Sequence, residues 1–245
     1  MKKERLDVLV VERGLAESRT RAQALILAGQ IVVDDQRVDK PGTRVSLEAE
    51  LRLKGEVLRY VSRGGLKLER ALDHFAIDVA SKVGADIGAS TGGFTDCLLQ
   101  RGAARVHAID VGWGQLHEKL RRDPRVRSVE RVNARHLTDE DLPEPVDVVV
   151  IDVSFISLTL VLPAVLPKLK PHGRLVALVK PQFEVGPQHI EKGGVVRDQQ
   201  ARAEAIEKVR AFVSAAGLRI DGLVDSPIAG PAGNVEALLV GTAPG

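Results

Sequence analysis

With 245 residues, 44% of them hydrophobic and 28% charged, the chain can bury one large core and a small second one; wholesale disorder, collagen-like repeats and membrane-spanning classes are excluded. A net charge of +2 and a pI of about 8.7 suit an anionic partner but lack the strong basicity of a non-specific nucleic-acid binder, and 3% aromatic content leaves few rings for stacking bases. The single cysteine, Cys97, precludes an intrachain disulfide, no Cys/His cluster has zinc spacing, and no apolar run spans a bilayer, so a soluble, metal-free, cytoplasmic protein is expected.

The amino-terminal apolar stretch is interrupted by Asp7 and Glu12, so it does not read as a signal peptide. Leu6, Leu9 and Val10 recur instead at helical spacing between Arg5 and Arg13, and Gly14 ends that helix. Ser18 is placed to cap a second helix with Ala22, Leu25 and Ile26 on its inner face, and Gly29 to close it in a left-handed C-cap. "IVVDDQRVDKPG" then reads as strand, turn and strand, and "LRLKGEVLRY" as a further strand pair. Residues 1–59 thus form a helix–helix–β unit too small to be an enzyme alone. Residues 5–42 resemble the S4 RNA-binding module. Arg19 and Arg21 stand in the first turn of the second helix, where cations oppose the helix dipole unless an anion lies near, and a phosphate would supply one. The alternative is that they only solvate an exposed face. Lys40 and Arg44 extend the same phosphate-facing surface, and Arg5 and Arg63 complete the expected RNA-binding set.

"YVSRGG", residues 60–65, is expected to link this unit to a larger domain over 66–245. Leu68, Ala71, Leu72 and Phe75 make a helical stripe. Short apolar runs then alternate with helical segments: "VGADIG", "VHAID", "VRSVE", "VDVVVID" and "RLVALVK". This alternation predicts an α/β domain, a parallel sheet covered on both faces. "LRIDGLVDSP" and "NVEALLVG", joined by "IAGPAG", predict a closing hairpin with one antiparallel strand. A seven-stranded sheet of this kind is similar to the class I, Rossmann-like methyltransferase architecture rather than to that of the dehydrogenases.

In "DIGASTGGFTDCLL" a strand ending at Asp86 meets small residues and then a helix, so exposed N–H groups can approach a ligand over Gly88, Ala89, Ser90, Thr91, Gly92, Gly93 and Phe94. The spacing is not G-x-G-x-x-G, which disfavours a nicotinamide cofactor, and no Walker lysine follows. A glycine-rich turn that merely packs a helix tightly on a strand is the alternative. The next strand ends at Asp110, at the distance where a carboxylate receives a ribose hydroxyl pair. An adenosine cofactor without a phosphate chain, S-adenosylmethionine, answers that description. Asn133, after the third strand, is expected to contact the adenine or else to serve as a turn residue.

Ligands of open α/β sheets bind outside the carboxyl ends of the strands. Asp152 ends the fourth strand, Lys180 the fifth, Glu236 stands near the start of the antiparallel one, and Lys67 can reach that edge from the first body helix. Such a set suits proton removal from a ribose 2′-hydroxyl, with lysine as a base and the acids orienting the ammonium groups. Any one of them alone would read as a surface ion pair.

"VSRGGLKL", "DIGASTGGFTD", "DVGWGQL", "DPRV", "IDVSFISL", "LVKPQFEVG", "GGVVRD" and "SPIAGPAGNVEALL" together resemble the TlyA, or haemolysin A-like, family: an S4 module ahead of an FtsJ-type methyltransferase. The resemblance implies methyl transfer from S-adenosylmethionine to cytidine 2′-hydroxyls of ribosomal RNA, with Lys67, Asp152, Lys180 and Glu236 as catalytic tetrad. It also implies that Asp86, residues 88–94, Asp110, Asn133 and Asp152 hold the cofactor, and that ribosomal RNA or a ribosomal particle is the partner. Because the sequence stops at Gly245, shortly after the last strand, it resembles the shorter members, which implies large-subunit (23S) RNA as the only substrate. The competing expectations are a pore-forming haemolysin, which finds no spanning segment or secretion signal, and a non-catalytic assembly factor, against which the intact tetrad argues.

Overall fold

A computed structural model describes residues 3–54, 59–230 and 232–245. Its contacts divide the chain into two units, Met1–Leu58 with Ala229–Asn234, and Arg59–Ile228 with Val235–Gly245.

The first unit runs β1 (Lys3–Arg5), α1 (Leu6–Glu12), α2 (Arg19–Leu27), β2 (Ile31–Val33), β3 (Gln36–Arg37), β4 (Arg44–Ser46) and β5 (Leu51–Leu53). The Ser18 hydroxyl accepts from Arg21 N at 3.2 Å, and Gly29 (φ +64°) takes the left-handed turn that stops α2. Asp34 and Asp35 both adopt positive φ between β2 and β3, as a tight hairpin matched to strand twist requires. β5 pairs on the other side of β2, while β1 pairs antiparallel with β4. The tripeptide Lys3–Arg5 has no apolar alternation, so β1 has no sequence signal. Leu6, Leu9, Ile26, Ile31 and Leu51 fill the core. The expected partner strand beyond β5 falls on residues 55–58, outside the described residues.

The second unit runs α3 (Gly64–His74), β6 (Val83–Ile87), α4 (Gly93–Gln100), β7 (Arg105–Ile109), α5 (Glu118–Arg121), β8 (Val126–Val129), β9 (Val146–Ile151), α6 (Leu158–Val165), β10 (Leu169–Val179), α7 (Pro181–Glu184), α8 (Gln199–Ala215), β11 (Arg219–Asp225) and β12 (Ala237–Thr242). One seven-stranded sheet has the order β11-β12-β10-β9-β6-β7-β8. β12 is antiparallel to both β10 and β11, and the β10-β9, β9-β6, β6-β7 and β7-β8 pairs are parallel.

Alternation along β9 shows how both faces are covered. Val148 and Val150 face the core that holds Leu68 and Leu72 of α3 and Leu98 of α4; Val149 and Ile151 face the one that holds Val161 of α6 and Val209 of α8. Each such fully buried branched side chain contributes about 1.5–3 kcal/mol. β10 begins at Leu169, earlier than "RLVALVK" implied, with a register break before Arg174 that absorbs Pro171 and His172. Pro163 lies inside α6 without ending it.

The segment 60–65, expected as a linker, is packed within this unit. Tyr60 is buried with its hydroxyl donating to Glu69, and Val61 N donates to Asp96 of α4. A Cβ on Gly65 would lie 2.3 Å from the Tyr60 ring, so only glycine admits this approach.

Candidate active site

β6 lies between β7 and β9, so the chain leaves it toward one side of the sheet and later fills the other; the loop after β6 opens at that switch point. Asp86, fully buried near the end of β6, accepts two bonds on Oδ2 from Thr95, N at 2.8 Å and Oγ1 at 2.7 Å. Its Oδ1 is buried without a partner. Burial pushes this carboxyl up to about 7, with the Thr95 bonds opposing and the charges of Asp152 and Asp110 reinforcing the rise.

The glycines of the loop face inward. A Cβ on Gly88 (φ +83°) would meet Asp152 O at 2.5 Å, one on Gly92 (φ +97°) Leu120 at 2.2 Å, and one on Gly93 the Ser62 hydroxyl at 2.3 Å and Gly65 N at 2.9 Å. Close packing thus accounts for Gly92 and Gly93, while Ser90 and Thr91 are the exposed members of the loop. Phe94, expected at the cofactor, is buried in the core with Tyr60 and Leu98. Its side chain is drawn inward because α4 packs its first turn against α3.

Asp110, directly after β7, accepts from Ser90 N at 2.8 Å on one oxygen and from Gly112 N at 2.6 Å on the other. The carboxylate therefore braces the loop, and each oxygen retains acceptor capacity. A recess beside it is lined by Ala89, Ser90, Gly112, Gln115, Ser128 and Glu130. Asn133 is not among these residues: it is exposed and its side chain caps a short 3₁₀ turn by accepting from Arg135 N, the turn role that was the alternative reading. Glu130 and Gln115 escaped the sequence reading. Glu130 follows β8 directly, as Asp110 follows β7, and that repeated strand-end acid was the available signal.

At the same edge the four charged residues meet. Lys67 of α3, buried, places Nζ 2.6 Å from Glu236 Oε2, and Glu236, fully buried at the entrance to β12, keeps Oε1 without a partner. Lys180 sits in extended backbone between β10 and α7, with Pro181 opening the helix; its Nζ lies 2.6 Å from Asp152 Oδ1 and donates to Ser154 Oγ at 2.8 Å. Burial would raise the Asp152 carboxyl, but the nearby charges of Lys180 and Lys67 outweigh it and hold the group below the usual carboxylate range. Lys67 thus acts on both acids, and the two ion pairs form one ensemble. Ser154 was not foreseen, although a polar residue two places past a strand-end acid is a readable signal. Among the described residues no group of three or more His, Cys, Asp or Glu is arranged to hold a metal ion, and no helix is long and apolar enough to cross a membrane.

In the first unit the fully buried Asp7 accepts from Arg5 (Nε and Nη2, both 3.0 Å), Arg19 (Nε, 2.9 Å) and Gln23 (2.8 Å). The Arg5 bonds hold its carboxyl far below the ordinary range against the cost of burial. The anion expected beside Arg19 is therefore already present inside the unit, and the dipole argument by itself no longer requires a phosphate there. Arg5 and Arg19 remain 41% and 56% exposed, so their outer N–H groups still face solvent. Arg21, Lys40 and Arg44 are exposed, whereas Arg63, in the second unit, is half-buried at the start of α3.

The FtsJ-like methyltransferase family matches residues 60–242, and the S4 domain family matches residues 4–51. YqxC of Bacillus subtilis, provisionally named an rRNA methyltransferase, is 50% identical over 239 residues, covering 97% of this chain and 85% of its own. The Mycobacterium tuberculosis protein named 16S/23S rRNA (cytidine-2′-O)-methyltransferase TlyA is 49% identical over 236 residues, covering 96% of this chain and 88% of its own. Among solved structures, a Streptococcus thermophilus protein provisionally named a hemolysin matches with a TM-score of 0.83 at 48% identity, over 100% of this chain and 90% of its own.

Proposed function

Since the chain belongs to the TlyA family, with an S4 domain ahead of an FtsJ-like methyltransferase domain, we propose that it methylates the ribose 2′-hydroxyl of a cytidine in ribosomal RNA. The observation that carries this reading is the convergence of the Lys67–Glu236 and Lys180–Asp152 pairs where the sheet opens, around the Gly88 turn. The first unit serves as the RNA-binding domain and the second, into which residues 60–65 pack, as the catalytic one.

The residues present fit S-adenosylmethionine. The orphaned Asp86 Oδ1 calls for a further donor, Asp110 offers a carboxylate to a hydroxyl pair in a recess with Gln115 and Glu130, and the loop has no lysine for a phosphate chain. When bound there, the cofactor supplies an electrophilic sulfonium methyl. Lys180 Nζ, as the free amine, takes the 2′-hydroxyl proton while the oxygen attacks, and Asp152 and Ser154 hold that nitrogen in place. Lys67 places a second positive charge near Asp152 and helps keep it ionised, and Glu236 anchors Lys67. Arg5, Arg19, Arg21, Lys40 and Arg44 hold the RNA backbone from the first domain, with Arg63 at the start of the second.

Large-subunit RNA is the proposed substrate; 23S RNA is named for the M. tuberculosis relative together with 16S. An rRNA-modifying role places the protein in the cytoplasm. A proton-handling ensemble over a glycine turn has no task in a pore, so the hemolysin name carried by relatives is not followed. The test offers purified 16S and 23S RNA and both subunits, with methyl-tritiated S-adenosylmethionine, and identifies 2′-O-methylcytidine by nucleoside mass spectrometry. Label in 23S RNA is expected; calorimetric cofactor binding without label in any RNA would refute the reading.

A further inference from the structure

The catalytic pair is carried by two backbone segments that face one another rung by rung. On one, Asp152, Ser154, Phe155, Ser157 and Leu158 lead from β9 into α6; on the other, Lys180, Phe183 and Glu184 lead from β10 through α7. Lys180 Nζ bridges Asp152 and Ser154, the Phe155 and Phe183 rings lie 5.2 Å apart, and Glu184 closes the far end. Its Oε2 accepts from Ser157 Oγ at 2.6 Å and its Oε1 from Leu158 N at 2.6 Å.

We propose that Glu184 is a positioning residue for methyl transfer, bolting the Asp152 segment to the Lys180 segment and so fixing the register of that ion pair. The inference rests on the methyltransferase reading above. Three features carry it. α7 has four residues, too few to hold a helical turn without tertiary anchors, and Glu184 is its anchor. The Glu184 side chain is 1% exposed, so its charge is tolerable only because both oxygens are engaged, with Lys208 Nζ a third partner at 3.3 Å. Phe155 between the rungs has φ +65°, a conformation a bulky residue keeps only where both flanks are held.

Glu184→Gln, Glu184→Ala and Lys208→Met separate positioning from bulk stability. Glutamine can still accept from Leu158 N and donate to Ser157 Oγ, whereas alanine loses both rungs. In Glu184→Ala, kcat is expected to fall on the order of 100-fold, since a displacement of about 1 Å is worth that much. The KM for cofactor should stay within about twofold, because the cofactor recess is not on these segments. Glu184→Gln should recover most of kcat, and Lys208→Met should match wild type.

The split between kcat and the KM for cofactor, with recovery in Glu184→Gln, gives a reading that loss of fold alone would not produce. Should Glu184→Ala fail to fold, Ser157→Ala removes one rung and should show a smaller fall in kcat, again with the KM for cofactor within about twofold. Wild-type kcat in Glu184→Ala, a KM for cofactor that rises in step with the fall in kcat, or equal losses in the Gln and Ala variants would overturn the inference. Absence of methyl transfer by the wild-type protein would overturn the methyltransferase reading and this inference with it.

Discussion

Lys67→Met tests the contribution of the buried Lys67–Glu236 pair, because methionine keeps much of the stem and removes the charge. The two side chains are 9% and 0% exposed and their charged atoms lie 2.6 Å apart. Glu236 Oε1 is already without a partner, so the variant leaves a buried carboxylate with neither oxygen engaged. Breaking one side of such a pair costs about 3–5 kcal/mol. At about 2–4 °C per kcal/mol for a domain of this size, the melting temperature should fall by about 6–20 °C. Lys67→Met/Glu236→Leu removes both charges and should return to within about 1 kcal/mol of wild type, since apolar replacement of a whole buried pair is often neutral. Thermal unfolding by circular dichroism reads both, and methyl transfer should be absent from both variants. A single variant that melts within about 2 °C of wild type, or a double variant less stable than the single one, would refute the reasoning.

Lys180→Ala should abolish turnover while calorimetric cofactor binding survives; parallel loss of both would make the lysine structural. Asp110→Ala removes the acceptor for Ser90 N and Gly112 N and should weaken cofactor binding at least about tenfold, measured by calorimetry, with unchanged affinity if the recess is not the cofactor site. Arg21→Ala should weaken RNA binding and flatten the slope of log K against log salt by about one unit, and an unaltered slope would remove Arg21 from the interface. The depressed Asp7 carboxyl stabilises the first unit fully above about pH 5, where the unfolded chain would also be ionised, and that stability is lost as pH falls toward the lower folded value. Hydrogen-exchange protection factors in α1 and α2, referred to the intrinsic rate at each pH, should fall on acidification below about pH 4 in wild type but not in Asp7→Asn.

The parallel strands were legible because they carry strong local signals, unbroken apolar runs, and β7, β9 and β10 are followed directly by Asp110, Asp152 and Lys180; Lys67 and Glu236 stand outside such runs and gained their place from the family resemblance. The strand-end rule alone places Asp110 and Asp152, and the chain's own proline marks the turn at Lys180. What was not legible depends on packing between distant segments. Phe94 reads as a ligand neighbour until α3 is seen covering it, and the inward orientation of Gly92 and Gly93 depends on Leu120 and Ser62, residues remote in sequence. Arg19 invites a phosphate until Asp7, twelve residues earlier, is found in contact with it. Glu184 gave no signal, since a lone acid four residues past a lysine looks like any helical surface position, and its partners lie 26 and 27 residues back.

Lys67 and Glu236 are separated by 169 positions, and the second of them is delivered by a strand that inserts between two others already formed from earlier sequence. During synthesis the proposed catalytic ensemble is therefore among the last things a growing polypeptide completes. A nascent or prematurely terminated product lacking β12 would keep the glycine turn and three of the four charged groups yet leave Lys67 without its counter-ion. Such fragments should be unable to transfer a methyl group to RNA.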